Sequence, residues 1–403
     1  MPVLAPVFRS SRRLRVASAL LRWPAVNSMP QIPVAVFITA FEPGGTERQM
    51  TELIRRLDPR RFRVHVACFR REGAWLPRVV ERAASVVEFP IRGFAKPRTL
   101  LQLLRFARWC RRERIAVVQA CDFYANAFAL PGAALAGVPV RIGSRRELNP
   151  DKSAAQIRLQ RWAYRFASRV VANSPAALQI LEQEGLPPAR ATVIANGIDA
   201  AAYGAPERDG RVRRIITVAN LRPEKSHETL IAAAALLSRT HPHLRFLIVG
   251  DGSRRQALEQ FARARGVGGM VEFLGHREDV PALLARADVF VLPSRSEAFP
   301  NGAIEAMAAG LPVVASAVGG LLDLITSGRT GLLVNPGDAE ALANALRSLA
   351  DDPARTRMLG EQARADVIAR YSFDRMVRAF EDLYETELRE RSPMRAQPVQ
   401  ARV

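Results

Sequence analysis

Lysine is almost missing from this chain. Of its 59 basic residues only Lys96, Lys152 and Lys225 are lysine, and all the others are arginine. Cysteine is as sparse: Cys68, Cys110 and Cys121 form no C-x-x-C pair and no metal-ligand spacing with the five histidines. That argues against a disulfide scaffold and a structural zinc site, and it fits a reducing compartment. Aromatic residues amount to 7%, too few for a stacking platform on nucleic acid. No apolar run approaches the ~18 residues of a membrane span, so the expectation is a soluble or peripheral protein.

What is present is a globular chain long enough for two domains: 403 residues, 48% apolar, with 27 prolines. The net charge of +20 is lopsided. Residues 1–200 carry 32 basic and 14 acidic side chains, the rest 27 and 25. A first half at +18 beside a second at +2 points to a polyanionic surface near the first domain. Residues 1–28 place Arg9, Arg12, Arg13, Arg15 and Arg22 among Leu14, Leu20, Leu21 and Trp23. The stretch lacks the long apolar core and cleavage site of a secretory signal. It reads as a basic interfacial helix or, because a strand begins so soon after Met29, as an extension ahead of the working start; we favour the extension.

From Pro33 onward, apolar runs of strand length alternate with helical patterns, which predicts parallel, doubly wound α/β sheets. The first series comprises Pro33–Thr39, Phe62–Cys68, Val86–Phe89, Ile115–Ala120, Val138–Ile142, Arg169–Ala172 and Ala191–Ile194. Small, polar and charged residues from Asn196 then read as a linker. A second series follows: Ile215–Ala219, Arg245–Val249, Val271–Leu274, Val289–Leu292, Val313–Ala315 and Gly331–Val334. The expected domains are 29–208 and 209–372, with a helix from Phe373 to about residue 390 and a tail to 403. That helix carries Phe373, Met376, Val377, Phe380, Leu383, Tyr384 and Leu388 on one face, which requires a partner surface.

The chemistry-bearing residues fall just past strand ends, where a parallel sheet places its ligand crevice. Gly44-Gly45 turns the first strand into a helix and presents backbone N–H groups to an anion. Asn220-Leu221-Arg222-Pro223-Glu224-Lys225 follows the first strand of the second series. Two cations three residues apart there can bracket a diphosphate. Keeping one of only three lysines at that place suits a point charge rather than a planar fork. Further strand ends carry Gly250-Asp251-Gly252, Gly275-His276-Arg277 and Gly319-Gly320. The stretch from Ser294 to Gly320 holds Glu297 in a strand-to-helix loop and Glu305 one turn into the helix. Two carboxylates so placed can hold different parts of one hydroxyl-rich ligand. A lone E-x7-E is in most chains a loop acid plus a surface acid, and here its flanks change that reading.

The order GGTER, NGID, NLRPEK, VGDG, FLGHREDV, SEAFPNGAIEAMAAGLPVVAS and GRTGLLV resembles the retaining glycosyltransferases of family 4, the group 1 glycosyl transferases, over residues 32 to about 390. The resemblance implies the GT-B architecture: two Rossmann-like domains facing across a cleft, acceptor on the first, nucleotide-sugar donor on the second, with the last helix crossing back. It implies that Arg222 and Lys225 bind the donor diphosphate, that Glu305 holds the ribose hydroxyls, and that Glu297 contacts the transferred sugar. Phe299, Asn301 and Gly302 would approach the sugar and phosphate, Gly44 and Gly45 would close over the diphosphate, and His276 would join the donor side. Many relatives place a histidine after the strand that here reads VPVRIGS. This chain has Arg145, Arg146 and Glu147 instead, so Arg145 and Arg146, with Asp122, become acceptor-side candidates.

The implied reaction moves a hexose from a UDP or GDP carrier to a lipid-linked or saccharide acceptor with retention, in cell-surface polysaccharide or lipopolysaccharide assembly. No D-x-D occurs, so no metal and no other cofactor is expected, and fixed cations would meet the leaving diphosphate. On the same fold a sugar-nucleotide epimerase is the alternative. A phosphorylase would need a late pyridoxal-phosphate lysine, and none follows Lys225. Nucleic-acid binding is disfavoured, because the basic first half carries no nucleic-acid signature motif. The arginines from Arg98 to Arg114, with Leu101, Leu104 and Trp109 among them, read as a helix resting on anionic lipid. The expected location is therefore cytoplasmic, peripheral at the inner face of the membrane.

Overall fold

The computed structural model describes residues 31–94, 96–148, 152–204 and 209–391. The readings of residues 1–28 and of the tail past 391 lie outside the described residues. Among the described residues thirteen strands form two wholly parallel sheets. The first contains β1 (Ile32–Ile38), β2 (Phe62–Cys68), β3 (Ser85–Glu88), β4 (Val117–Ala120), β5 (Val140–Arg145), β6 (Arg169–Ala172) and β7 (Ala191–Val193), in the order β3-β2-β1-β4-β5-β6-β7. The second contains β8 (Arg214–Val218), β9 (Arg245–Val249), β10 (Val271–Gly275), β11 (Val289–Leu292), β12 (Val313–Ser316) and β13 (Gly331–Val334), in the order β10-β9-β8-β11-β12-β13. Helices cover both faces, so β11 is buried at every position and reads as an unbroken apolar run, while the equally buried β4 is interrupted only by Gln119.

In each sheet the order reverses beside the first strand of its series, between β1 and β4 and between β8 and β11. Loops leaving such a pair diverge and open a crevice. At the first reversal Asp122 caps the helix Phe123–Ala136 through the Ala125 amide (2.9 Å). The same carboxylate accepts from the Thr39 amide (3.2 Å) and hydroxyl (3.0 Å), tying the ends of β1 and β4 together. At the second reversal the short helix Asn301–Ala308 lies close to β8. A Cβ on Gly302 would stand 2.7 Å from the Val218 carbonyl oxygen. Gly319 and Gly320 pack against the carbonyls of Glu297 and Ala298, where added Cβ atoms would lie 2.0 and 1.9 Å away. Only residues without a side chain let this backbone hold the Glu297 loop in place.

The stretch NGID, read as a linker, is largely buried where the chain crosses between the sheets. Asn196 and Ile198 are buried. The Gly197 amide and carbonyl both bond the Gln49 side chain at 2.9 Å. Ile198 bridges to Ser372, with its amide 2.7 Å from the Tyr371 oxygen and its own oxygen 3.2 Å from the Phe373 amide. The chain's two crossings between the sheets therefore lie side by side.

The last helix, Phe373–Arg391, packs on the first sheet's core. It buries Phe373, Met376, Val377, Phe380, Tyr384 and Leu388 against residues including Ile54, Leu57 and Phe62, each such side chain contributing about 1.5–3 kcal/mol. Its acids meet arginines of the first sheet: Glu381 and Glu385 with Arg61 (3.0 and 2.6 Å), and the fully buried Glu387 with Arg169 (2.6 Å).

The arginine-rich helix spans Pro97–Arg112, and Arg114 follows it in a left-handed turn (φ 52°). Trp109 does not share its outer face as the sequence suggested. It is buried against His65, Phe89 and Phe106, because its position falls on the inward stripe with Phe106 and Cys110. The exposed stripe is Leu101, Arg105, Arg108 and Arg112. Among the described residues no helix is long and apolar enough to cross a membrane.

Candidate active site

A cavity of about 320 Å³ opens between the two sheets at their reversal points. The first sheet supplies Gly44, Gly45 and Arg48. The second supplies Asn220 and Lys225 past β8, Gly250 past β9, His276 past β10, and Glu297, Asn301, Gly302 and Glu305 past β11. Of the residues singled out on the donor side, all but Arg222 and Phe299 line it. Arg222 is exposed outside the lining. Phe299 turns its ring inward, edge-on to Tyr371 at 5.3 Å, so only its backbone is left to approach a ligand.

Glu297 is 6% exposed, and its Oε1 accepts from Lys225 Nζ (2.6 Å) and Ser294 Oγ (2.7 Å). The loop after β8 and the loop after β11 are thus joined by an ion pair at the cavity wall. This geometry fixes the ammonium before any ligand arrives. Such preorganised charge stabilises a developing anion without a reorganisation cost.

Glu305, also buried, is paired by Arg48 from the opposite sheet, whose second nitrogen donates to the Tyr203 hydroxyl at 3.1 Å. Burial raises the Glu305 carboxyl above the usual carboxylate range, against the pull of Arg48. For Arg48, burial lowers the guanidinium, and Glu305 and Tyr203 more than reverse it. A second bond joins the two walls: Asn196 Nδ2 donates to Asn301 Oδ1 at 2.8 Å. Sequence reasoning placed Glu305 but missed Arg48 and Tyr203. A basic residue one turn past the Gly44-Gly45 pair was the available signal. Among the described residues no group of three His, Cys, Asp or Glu side chains is placed to hold a metal ion.

Comparison with known proteins identifies the architecture. The model of glycosyltransferase family 4 matches residues 43–202, and that of glycosyl transferases group 1 matches 204–366. The chain belongs to the group 1 glycosyltransferases. A glycogen synthase of Mycobacterium tuberculosis is 35% identical over 247 residues, 60% of either chain. A D-inositol 3-phosphate glycosyltransferase of Rhodococcus opacus is 35% identical over 233 residues, 53% of this chain and 52% of the relative. The chain thus spans little more than half the length of these relatives. Anabaena Alr3699/HepE, solved with UDP and glucose, superimposes with a TM-score of 0.78 at 24% identity, covering 88% of this chain and 99% of that one. The two-domain GT-B fold follows.

The three residues read as acceptor-side candidates are placed differently from one another. Arg145 is 1% exposed and closed off: its two terminal nitrogens hold Glu184 at 3.1 and 2.8 Å, and Nε donates to the Glu147 carbonyl (2.8 Å). At the end of β5 its side chain turns into the protein, so it is a core ion pair and not an acceptor ligand. Arg146, next along, turns the other way and donates to Asn196 Oδ1 at 2.6 Å. Burial lowers its guanidinium to about 10, opposed by Cys121 and Glu47. Asp122 is committed to Thr39 and Ala125, and burial raises its carboxyl despite those bonds. Glu47, which the sequence reading passed over, is raised by burial and then by Asp122, with Arg146 opposing. The three cysteines are free and buried, and burial pushes the Cys68 thiol up to about 12.

Proposed function

We propose that this chain transfers a hexosyl group, with retention, from a UDP- or GDP-sugar to a hydroxyl of a lipid-linked or saccharide acceptor, as in assembly of a cell-surface polysaccharide or lipopolysaccharide. The observation that carries this is the convergence of Lys225, Glu297, Glu305 and the Gly44-Gly45 turn on one cavity between two reversal points. The UDP and glucose bound by HepE support it, as do the sugar-transferring names of the relatives. In this reading Glu305 takes the ribose hydroxyls, Lys225 faces the diphosphate as the sugar–phosphate bond breaks, and Glu297 holds both Lys225 and the transferred sugar. The departing phosphate accepts the proton of the attacking hydroxyl on the same face. Arg222, exposed beside the cavity lining, is the second cation proposed for the diphosphate.

A panel of nucleotide-sugars tests this directly. Saturable binding and slow hydrolysis are expected for one UDP- or GDP-hexose, with both persisting in excess EDTA because fixed cations meet the leaving charge. Loss of turnover in EDTA with rescue by magnesium or manganese would show that a metal shares that task. Conversion of the donor to its epimer without release of nucleoside diphosphate would favour the epimerase alternative.

The acceptor reading rests on the stripe Leu101, Arg105, Arg108 and Arg112, flanked by Leu100 at 60% exposure. Each basic residue near an anionic surface contributes about 1 kcal/mol. Sedimentation with anionic vesicles at low salt is therefore expected and should fall steeply as salt is added. Equal partitioning onto neutral vesicles, or none onto anionic ones, would point to a soluble acceptor.

A further inference from the structure

Arg48 has no place in the reaction outlined above, yet it occupies the carboxylate that reaction needs. It sits one turn past Gly45 on the helix Gly45–Arg56, and its amide bonds the Gly44 carbonyl at 3.0 Å. Its guanidinium spans the cleft to Glu305 and Tyr203. The Arg48 side chain is 28% exposed and that of Glu305 11%, so the pair is largely withdrawn from water. A ribose whose hydroxyls take the Glu305 oxygens must displace it. Breaking a desolvated pair and leaving one partner alone is far costlier than forming the pair is favourable. A ligand that removes Arg48 from Glu305 must therefore bring an anion to receive it.

We propose that Arg48 is a donor-binding residue handed from Glu305 to the donor's diphosphate, so that the ribose and diphosphate are recognised as one unit. This rests on the nucleotide-sugar reading above. The diphosphate's place is against Lys225 and the Gly44-Gly45 turn, which line the same cavity as Arg48. Arg48 stands on the helix that this turn opens. A long side chain makes the exchange by rotamer changes alone, and a guanidinium matches phosphate oxygens two at a time. A nucleoside without phosphates has to break the Arg48–Glu305 pair and returns nothing. A nucleoside diphosphate replaces it. The site thereby rejects nucleosides by more than the missing phosphate contacts alone.

The test compares UDP with uridine, and GDP with guanosine, by calorimetry on the full chain and on Arg48→Gln. Loss of a charge-assisted contact weakens the diphosphate by about ten- to hundredfold. Removal of the competitor for Glu305 strengthens the nucleoside, so the gap between the two narrows from both ends. Arg48→Lys keeps the cation but not the fork; it should narrow the gap by less, and it serves if the Gln variant fails to fold. Equal changes for diphosphate and nucleoside would reduce Arg48 to a clamp between the walls. Tightening of both would make it a competitor only, and either result overturns the handover. Failure of the unaltered protein to bind any of the four ligands would instead overturn the nucleotide-sugar reading beneath it.

Discussion

Lys225→Ala is expected to lower kcat for donor cleavage by about 10²–10³, some 3–4 kcal/mol of transition-state stabilisation. The ammonium sits 2.6 Å from Glu297 Oε1, and Ser294 holds that oxygen from the other side. The cation is therefore aimed before the diphosphate begins to leave. Lys225→Arg should not restore the rate, since a planar fork does not fit where a compact charge is seated. Glu297→Ala should lower kcat more than it raises KM, because it releases Lys225 and removes a sugar contact together. The double variant should cost less than the two single losses combined, as the partners act through one contact. Glu305→Ala should act mainly on KM, since ribose contacts change little between ground and transition state. Small, equal effects on kcat across all three would mean that the chemistry lies elsewhere.

Glu184→Ala is expected to destabilise the fold by about 3–5 kcal/mol, the cost of leaving a buried charge without its partner. Arg145 has 1% exposure and two bonds to that carboxylate. Replacing both, Arg145→Met with Glu184→Leu, should recover most of the loss, because an apolar pair of similar volume needs no desolvation. Urea unfolding of the three variants measures this. An unaffected Glu184→Ala would show that water reaches Arg145 and that the site is open after all.

The contrast between Arg145 and Arg146 shows where sequence reading runs short. Strands, their order in the chain and the loops that line the cleft were legible because parallel sheets leave apolar runs and glycine turns. Glu297 and Glu305 could be placed on a loop and a helix from spacing alone. Which way a side chain turns at a strand's end is different. Adjacent residues point to opposite faces, so one position separates the Arg145–Glu184 core ion pair from the Arg146–Asn196 contact. For Arg48 only its place after the glycine pair was legible: its partners Tyr203 and Glu305 lie 155 and 257 residues away, and no local pattern encodes a contact across a cleft. The burial of the NGID linker was not legible either, because its backbone is satisfied by Gln49 and by the chain at Tyr371–Phe373, both distant in sequence.

The last helix has a consequence during synthesis. Its apolar face completes the core built by β1, β2 and their helix, yet it is made only after all of β8–β13. At ~5–20 residues per second, the ribosome leaves Ile54, Leu57 and Phe62 without their final cover for on the order of ten seconds or more. The first sheet thus waits, partly open, while the second forms beside it. Arg61 and Arg169, which later pair with Glu381, Glu385 and Glu387, keep that waiting surface charged and discourage its pairing with another nascent chain. A premature stop before Phe373 would consequently spoil the half of the molecule made first, and leave the half made last with its strands intact.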